Sequence, residues 1–202
     1  MVVIRPLTSV IPNPGKSISP RSEIAWFIAR FIGFCTSFFD RTFISDSFSC
    51  RLDKGTHKAI NRFREFAYKV SQNNSRSCWI LKGDIRKFFA SIDHQILKSI
   101  LTEYIPDKRI LGLLSEVIDS FSINAVHLDS CLRRNDDSSG LPLGNLTSQL
   151  LVNIYMNKFD QFIKHKIKIR YYIRYADDFV IFSDDKSWLE NLIKPINDFL
   201  SK

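Results

Sequence analysis

The chain has 202 residues, 45% of them apolar, with 17 Phe but only seven Gly and seven Pro; this is enough for a folded core and excludes a disordered or fibrous chain. Its 29 Lys and Arg against 21 Asp and Glu leave a formal charge of +8, which favours a polyanionic partner without separating nucleic acid from an anionic membrane surface. Four widely spaced cysteines, Cys35, Cys50, Cys78 and Cys131, contain no CxxC, so neither a zinc site nor a disulfide framework is indicated and a reducing cytoplasm is the default.

Residues 1–23 hold Pro6, Pro12, Pro14 and Pro20 among several serines and show no period. Ile24 to Phe39 is apolar but only 16 residues long and contains Arg30, short of the ~20 residues of a spanning helix. From about Lys54, apolar residues at three- and four-residue spacing (Ala59, Ile60, Phe63, Phe66, Ala67, Val70) predict a helix, with Lys54, Lys58 and Arg62 on another face. SQNNSRS is a loop, and CWILKGDI a short strand of buried type ending at Asp84. Ser91 and Asp93 are caps for a helix through Ile96, Leu97, Ile100 and Leu101, and a second helix follows Pro106 with Ile110, Leu111, Leu114, Val117 and Ile118.

Residues 124–140 are polar and irregular. Asn145 then caps a long helix carrying Leu146, Leu150, Leu151, Ile154, Tyr155, Phe159 and Phe162. Two strands, Tyr171 to Tyr175 and Phe179 to Ser183, are joined tightly at Asp177 and Asp178, and a last helix capped by Asp184 or Asp185 carries Trp188, Leu189, Leu192, Ile193, Ile196 and Phe199. Pro195 is expected to kink or split that helix. From residue 78 the order strand, helices, strand–turn–strand, helix is most of a split βαβ unit: an α+β fold with an antiparallel, ferredoxin-like sheet and helices on one face.

Taken alone, Asp177 and Asp178 are ordinary hairpin-turn residues. Asp84 changes that reading. In a split βαβ sheet the first strand lies beside the later hairpin, which brings three carboxylates together. Such a cluster repels itself unless a cation neutralises it. Mg²⁺ suits it, taking a few carboxylates plus substrate phosphates, and two such ions (Mn²⁺ can substitute) would activate a primer 3′-hydroxyl and stabilise the leaving pyrophosphate. Asp93 and His94 are better explained by helix capping than by acid–base chemistry.

DIRKFF, GLPLGNLTSQ and YADD, in that order and spacing, resemble the palm motifs of reverse transcriptases, most closely those of diversity-generating retroelements, with group II intron and retron enzymes further off. The resemblance runs from about Phe38 to Lys202 and extends to CRLDKGTHKAI, where Asp53 stands in place of the usual Gly, and to SQLLVNIYMNKFDQFIKH. It implies an RNA-directed DNA polymerase in which Asp84 and Asp177 hold the metals with the Ile85 carbonyl, and Asp178 supports them. Arg86 and Lys87 would meet the triphosphate and Phe89 would gate against a ribose 2′-OH; Phe88 and Phe89 also suit core packing, and for one of them packing is the better account. Gly140, Pro142, Leu143, Gly144 and Gln149 would lie along the nascent pair. Most relatives have Gln where this chain has Leu143 and Pro where it has Gln149, and Leu143 implies error-prone copying, particularly at template adenines. Lys54, Lys58, Arg62, Tyr175 and Ala176 are candidates for the template and primer, with a solvated charged face an equally good reading of Lys54, Lys58 and Arg62. Partners would be template RNA, primer, dNTPs and, as in those retroelements, a basic accessory protein; no membrane is implied.

Residues 38–77 correspond to partial fingers and 78–202 to a palm ending before its last strand, primer grip and thumb. Residues 1–37 do not resemble fingers, but Asn13 to Thr36 read in another frame resemble the family's fingers segment, which marks 1–37 as out-of-frame or non-native. The 202-residue chain itself is therefore expected to bind RNA weakly without polymerising. The competing readings are a catalytically inactive RNA-binding remnant and a membrane-anchored protein using Ile24 to Phe39.

Overall fold

A computed structural model describes residue 33 and residues 35–124, 139–142 and 146–201. Residues 35–40 are helical. The elements after them are α1 (Thr56–Val70), β1 (Trp79–Gly83), the single turn α2 (Phe88–Ser91), α3 (His94–Tyr104), α4 (Lys108–Asn124) and α5 (Leu146–Gln161). A π-helical turn, Phe162–Lys166, leads to β2 (Tyr172–Tyr175), β3 (Asp178–Ser183) and α6 (Lys186–Leu200). The three strands form one antiparallel sheet in the order β1-β3-β2, so the strand met first in the chain lies against the last.

Strand alternation divides the sheet into two faces. Tyr172, Phe179 and Ile181 point into the main core, which they share with Leu97, Ile100 and Leu101 of α3, Leu150 to Phe159 of α5 and Leu189, Leu192 and Ile196 of α6. Ile173 and Phe182 point the other way and pack with Phe48 and with Phe66 and Val70 of α1. Helices α3, α5 and α6 thus lie on one face, as the sequence predicts, while α1 covers part of the second. That second face stays open at its Asp178 end, where the carboxylate side chain is 51% exposed.

Several expectations need correcting. The helix predicted from Lys54 begins at Thr56 behind Gly55 (φ 105°), so Lys54 precedes it. The strand through CWILKGDI is an edge strand rather than a buried one: among the described residues only β3 flanks β1, and Trp79 and Ile80 are exposed. Pro195 does not split α6, which runs unbroken through it; the buried stripe of Leu189, Leu192 and Ile196 keeps the helix on the core despite one lost backbone hydrogen bond. The N-caps at Asp93 and Asp185 are as expected: Asp93 accepts from the amides of Gln95 and Ile96, and Asp185 from that of Trp188. Asp53 adopts φ 55°, a left-handed conformation that Asp tolerates better than most residues. The proposed out-of-frame segment falls almost wholly, and the Asn145 cap wholly, outside the described residues. Among the described residues no helix is long and apolar enough to cross a membrane.

Gly83 shows how tightly this end of the sheet is packed. A Cβ built there would lie 2.1 Å from Cζ of Phe179, its cross-strand partner. Gly83→Ala must displace that ring, and overpacking of this kind typically costs about 1–3 kcal/mol. Urea unfolding of the purified chain should show a loss in that range; a change below about 0.5 kcal/mol, the size of an ordinary surface effect, would mean that the ring moves aside freely.

Candidate active site

The acid turn is built by the sheet. β2 and β3 pair from Tyr172–Ile181 to Tyr175–Asp178, leaving only Ala176 and Asp177 to reverse the chain. Tight hairpins need positive φ at a turn position, and Ala176 supplies it at φ 56°. On the other flank β1 pairs with β3 up to Gly83–Phe179. The same register continued by one residue sets Asp84 opposite Asp178. Asp84, Asp177 and Asp178 therefore meet at one end of one sheet, from segments more than ninety residues apart in the chain. Asp84 and Asp178 are exposed and Asp177 is half-buried.

The side chains do not close into a cage. Among the described residues no three His, Cys, Asp or Glu side chains converge closely enough to hold a metal, and Asp178 is instead paired with Lys82 at 3.2 Å. The expected cluster is thus present in the backbone register and not in the side-chain geometry. The donor set is all hard oxygen, which fits Mg²⁺, an ion that commonly takes only one or two carboxylates and completes its shell with water and substrate phosphate.

The turn rests on a buried polar network that sequence reasoning missed. Arg174, fully buried, donates from Nε and Nη2 to the Asp160 carboxylate at 2.8–3.0 Å. Its Nη1 donates to the carbonyl of Ala176 at 2.8 Å and to Oδ1 of Asn153 at 3.2 Å. The Tyr172 hydroxyl donates to Asp160 at 2.6 Å. Burial works against the Arg174 charge, but the adjacent Asp160 carboxylate outweighs it and raises the Arg174 pKa; burial and then the Asp160 charge push the Tyr172 phenol well up. The signal available in the sequence was an Arg at an inward position of an apolar strand and an Asp on an apolar helix, since charges so placed are almost never buried unless paired.

The segment after Asp84 turns through Lys87, whose φ is 53°. Arg86 and Lys87 are exposed, Phe88 is a core residue, and Phe89 is half-buried with its edge on the same core. Packing therefore accounts for Phe88, leaving Phe89 partly open. The Phe89 carbonyl accepts from the amide of Leu141 at 2.7 Å, and the Ile92 carbonyl from that of Gly140 at 2.8 Å. The buried His94 ring bonds the Gly140 carbonyl through Nε2 at 2.7 Å. Gly140 has φ +97° and room for a Cβ, so backbone conformation rather than space favours glycine there. Pro142 is exposed and Gln149 half-buried; Leu143 and Gly144 lie outside the described residues. The buried Ser148 hydroxyl beside Gln149 has no hydrogen-bond partner among the described residues.

The basic trio is not a free phosphate-binding face. Arg62 is paired with Asp46 at 2.7 Å and Glu65 at 2.8 Å. Lys54 donates to the Ser45 carbonyl and lies over the Phe48 ring, and burial followed by the nearby Arg51 lowers its pKa. Lys58 donates to the Asp53 carbonyl. Lys58 and Lys54 use only one of three donors on neutral carbonyls, so they keep their charge available, whereas Arg62 is committed to acids. Tyr175, exposed, shares a 3.1 Å hydrogen bond with Thr56 at the start of α1, which links the acid turn to that helix.

Residues 35–202 match the family described as reverse transcriptase (RNA-dependent DNA polymerase). Protein YkfC of Escherichia coli (strain K12) is 30% identical over 120 residues, 59% of this chain and 29% of that protein. The group II intron-encoded protein LtrA of Lactococcus lactis subsp. cremoris is 29% identical over 128 residues, 63% of this chain and 19% of that protein. The chain thus spans less than a third of the length of these curated relatives. An apo telomerase structure from Candida tropicalis, truncated from its C-terminal domain, superposes with a TM-score of 0.57 over 84% of this chain and 36% of that one, at 11% identity.

Proposed function

The chain belongs to the reverse transcriptase (RNA-dependent DNA polymerase) family, and from that premise we propose that it forms the palm and part of the fingers of an enzyme that copies an RNA template into DNA. The observation that carries this reading is the convergence of Asp84, from the end of β1, with the Asp177–Asp178 turn at one end of the sheet. Asp84 and Asp177, with the Ile85 carbonyl, would hold Mg²⁺, which supplies charge stabilisation at the transferring phosphoryl group. Asp178, drawn toward Lys82, has the supporting role. Exposed Arg86 and Lys87 follow directly after the metal-binding position, within reach of a triphosphate held there. The open edge of Phe89 faces the nucleotide sugar and discriminates against a 2′-hydroxyl. Lys54 and Lys58 meet template phosphates; Arg62 orders the segment that carries them.

The test is primer extension on an RNA template with the four dNTPs and Mg²⁺, using this chain extended by the C-terminal strand and thumb of a relative and carrying the alternative reading frame before Phe38. Elongation supports the polymerase reading. RNA binding without elongation would instead support the inactive, RNA-binding remnant.

The diversity-generating type is a finer proposal, carried by Leu143 and Gln149 in GLPLGNLTSQ. In the same extended protein, Leu143→Gln with Gln149→Pro should lower misincorporation opposite template adenine several-fold with little change in stability. Sequencing the cDNA of both proteins reads the outcome directly, and an identical error spectrum would assign Leu143 to packing alone.

A further inference from the structure

We infer that Arg174 is a positioning residue for the acid turn: its guanidinium, oriented by Asp160, holds the Ala176 carbonyl and so fixes where Asp177 presents its carboxylate. The inference rests on the proposed metal role of Asp177 and goes beyond it, because Arg174 touches neither metal nor substrate.

The geometry is specific. Ala176 sits at φ 56°, a left-handed conformation that is unfavourable for an L-residue other than Gly. Nothing in an Ala side chain offsets that cost, so the conformation must be imposed from outside. The charge-assisted hydrogen bond from Arg174 Nη1 to the Ala176 carbonyl, 2.8 Å long, acts on the peptide unit that joins Ala176 to Asp177. Charged donors in a dry environment make stronger bonds than neutral ones. The donor is itself immobile. Two of its nitrogens are engaged by Asp160 from α5, whose carboxylate is further fixed by the Tyr172 hydroxyl, and Nη1 is shared with Asn153 about two turns earlier on α5.

The backbone of Arg174 is held as firmly as its side chain. Its amide donates to the Asp46 carbonyl and its carbonyl accepts from the Phe48 amide, both at 3.0 Å, and Asn153 Nδ2 donates to the Ser49 carbonyl at 2.9 Å. Residues 46–49 thus run alongside β2 at this one point. Asp46 in turn receives Arg62 and Lys164. Arg174 therefore ties three separate segments together, α5 and the acid turn through its guanidinium and residues 46–49 through its backbone. An ion pair used only for stability would have no need to reach the turn carbonyl.

The experiment uses the 202-residue chain. Asp160→Asn combined with Arg174→Gln removes both charges together, so no unpaired charge is left buried and the fold survives. Two quantities are read: the affinity for Mn²⁺, by electron paramagnetic resonance with Asp177→Ala as the control for site-specific binding, and the carbonyl ¹³C shift of Ala176 in alanine-labelled protein. Outer ligand-orienting partners typically contribute ~10–100-fold in metal affinity. The double variant should lose Mn²⁺ affinity by about that factor, and its Ala176 carbonyl signal should move upfield as the charged donor is lost. Arg174→Lys should not restore either, because an ammonium cannot engage the carboxylate and the carbonyl in one fixed fork. A lower melting temperature with both readouts unchanged would make Arg174 a structural residue and overturn the inference. If the unaltered chain shows no Mn²⁺ binding that depends on Asp177, the metal reading fails, and the Ala176 signal alone still decides whether Arg174 sets the turn.

Discussion

In the extended polymerase, Asp177→Ala should lower dNTP incorporation by about 10³-fold or more while the circular dichroism spectrum and melting temperature stay near those of the parent. The size follows from the chemistry. A metal ion at a transferring phosphoryl group contributes several kcal/mol of charge stabilisation, and each 1.36 kcal/mol is tenfold in rate. The structural cost is small because Asp177 lies in a turn, half-buried, with no ion pair formed among the described residues. Asp84→Ala should behave the same way, its carboxylate being exposed just beyond the end of β1. Asp178→Asn should be milder, since Asp178 is drawn toward Lys82 and lies on the exposed start of β3. Primer extension under single-turnover conditions measures all three. Incorporation within tenfold of the parent by the Asp177→Ala protein would remove it from the metal site.

The second large effect concerns stability. Arg174→Ala should cost about 3–5 kcal/mol, because it leaves the fully buried Asp160 carboxylate without its countercharge. The Tyr172 hydroxyl, still donating to Asp160, softens that penalty without neutralising the charge. The double change Asp160→Asn with Arg174→Gln should be far closer to the parent, since replacing both partners of a buried pair is much less damaging than removing one. Urea unfolding of the single and double variants gives the comparison. A single variant within about 1 kcal/mol of the parent would mean that water reaches Asp160 and that the pair is not dry.

How much of this could be read from the sequence depended on whether the signal was local. The acid turn, the caps at Asp93 and Asp185 and the apolar stripe of α6 are local patterns, and they appear where the spacing puts them. The pairing of β1 with β3 was legible only through topology, because nothing near Trp79–Gly83 specifies a partner some hundred residues away. The edge position of β1 was misread for a related reason: an apolar run shows that a strand has something to bury, not how many neighbours it has. The basic face of Lys54, Lys58 and Arg62 was read as a surface because helical spacing aligns those residues, whereas Asp46, the acid that claims Arg62, is contributed by a loop residue with no periodic signal. Arg174 was overlooked because composition treats every arginine as a surface charge. Its strand alternates inward at Tyr172 and Arg174, and following that alternation to its end would have forced a buried cation and a search for its acid.

The antiparallel pairing of β1 with β3 also sets an order of events. The hairpin of β2 and β3 closes over two residues, whereas joining Gly83 to Phe179 closes a loop of about a hundred, and such non-local pairings are the slow steps of folding. During synthesis β1 leaves the ribosome with Trp79 and Ile80 uncovered and must wait until residues 178–183 have been made. The helices α3, α4 and α5, made in between, have time to form locally before the sheet exists. Asp84 therefore acquires its neighbours in the same late step that pairs β1 with β3, and a chain that has not finished folding can carry most of its helices while having no assembled acid site at all.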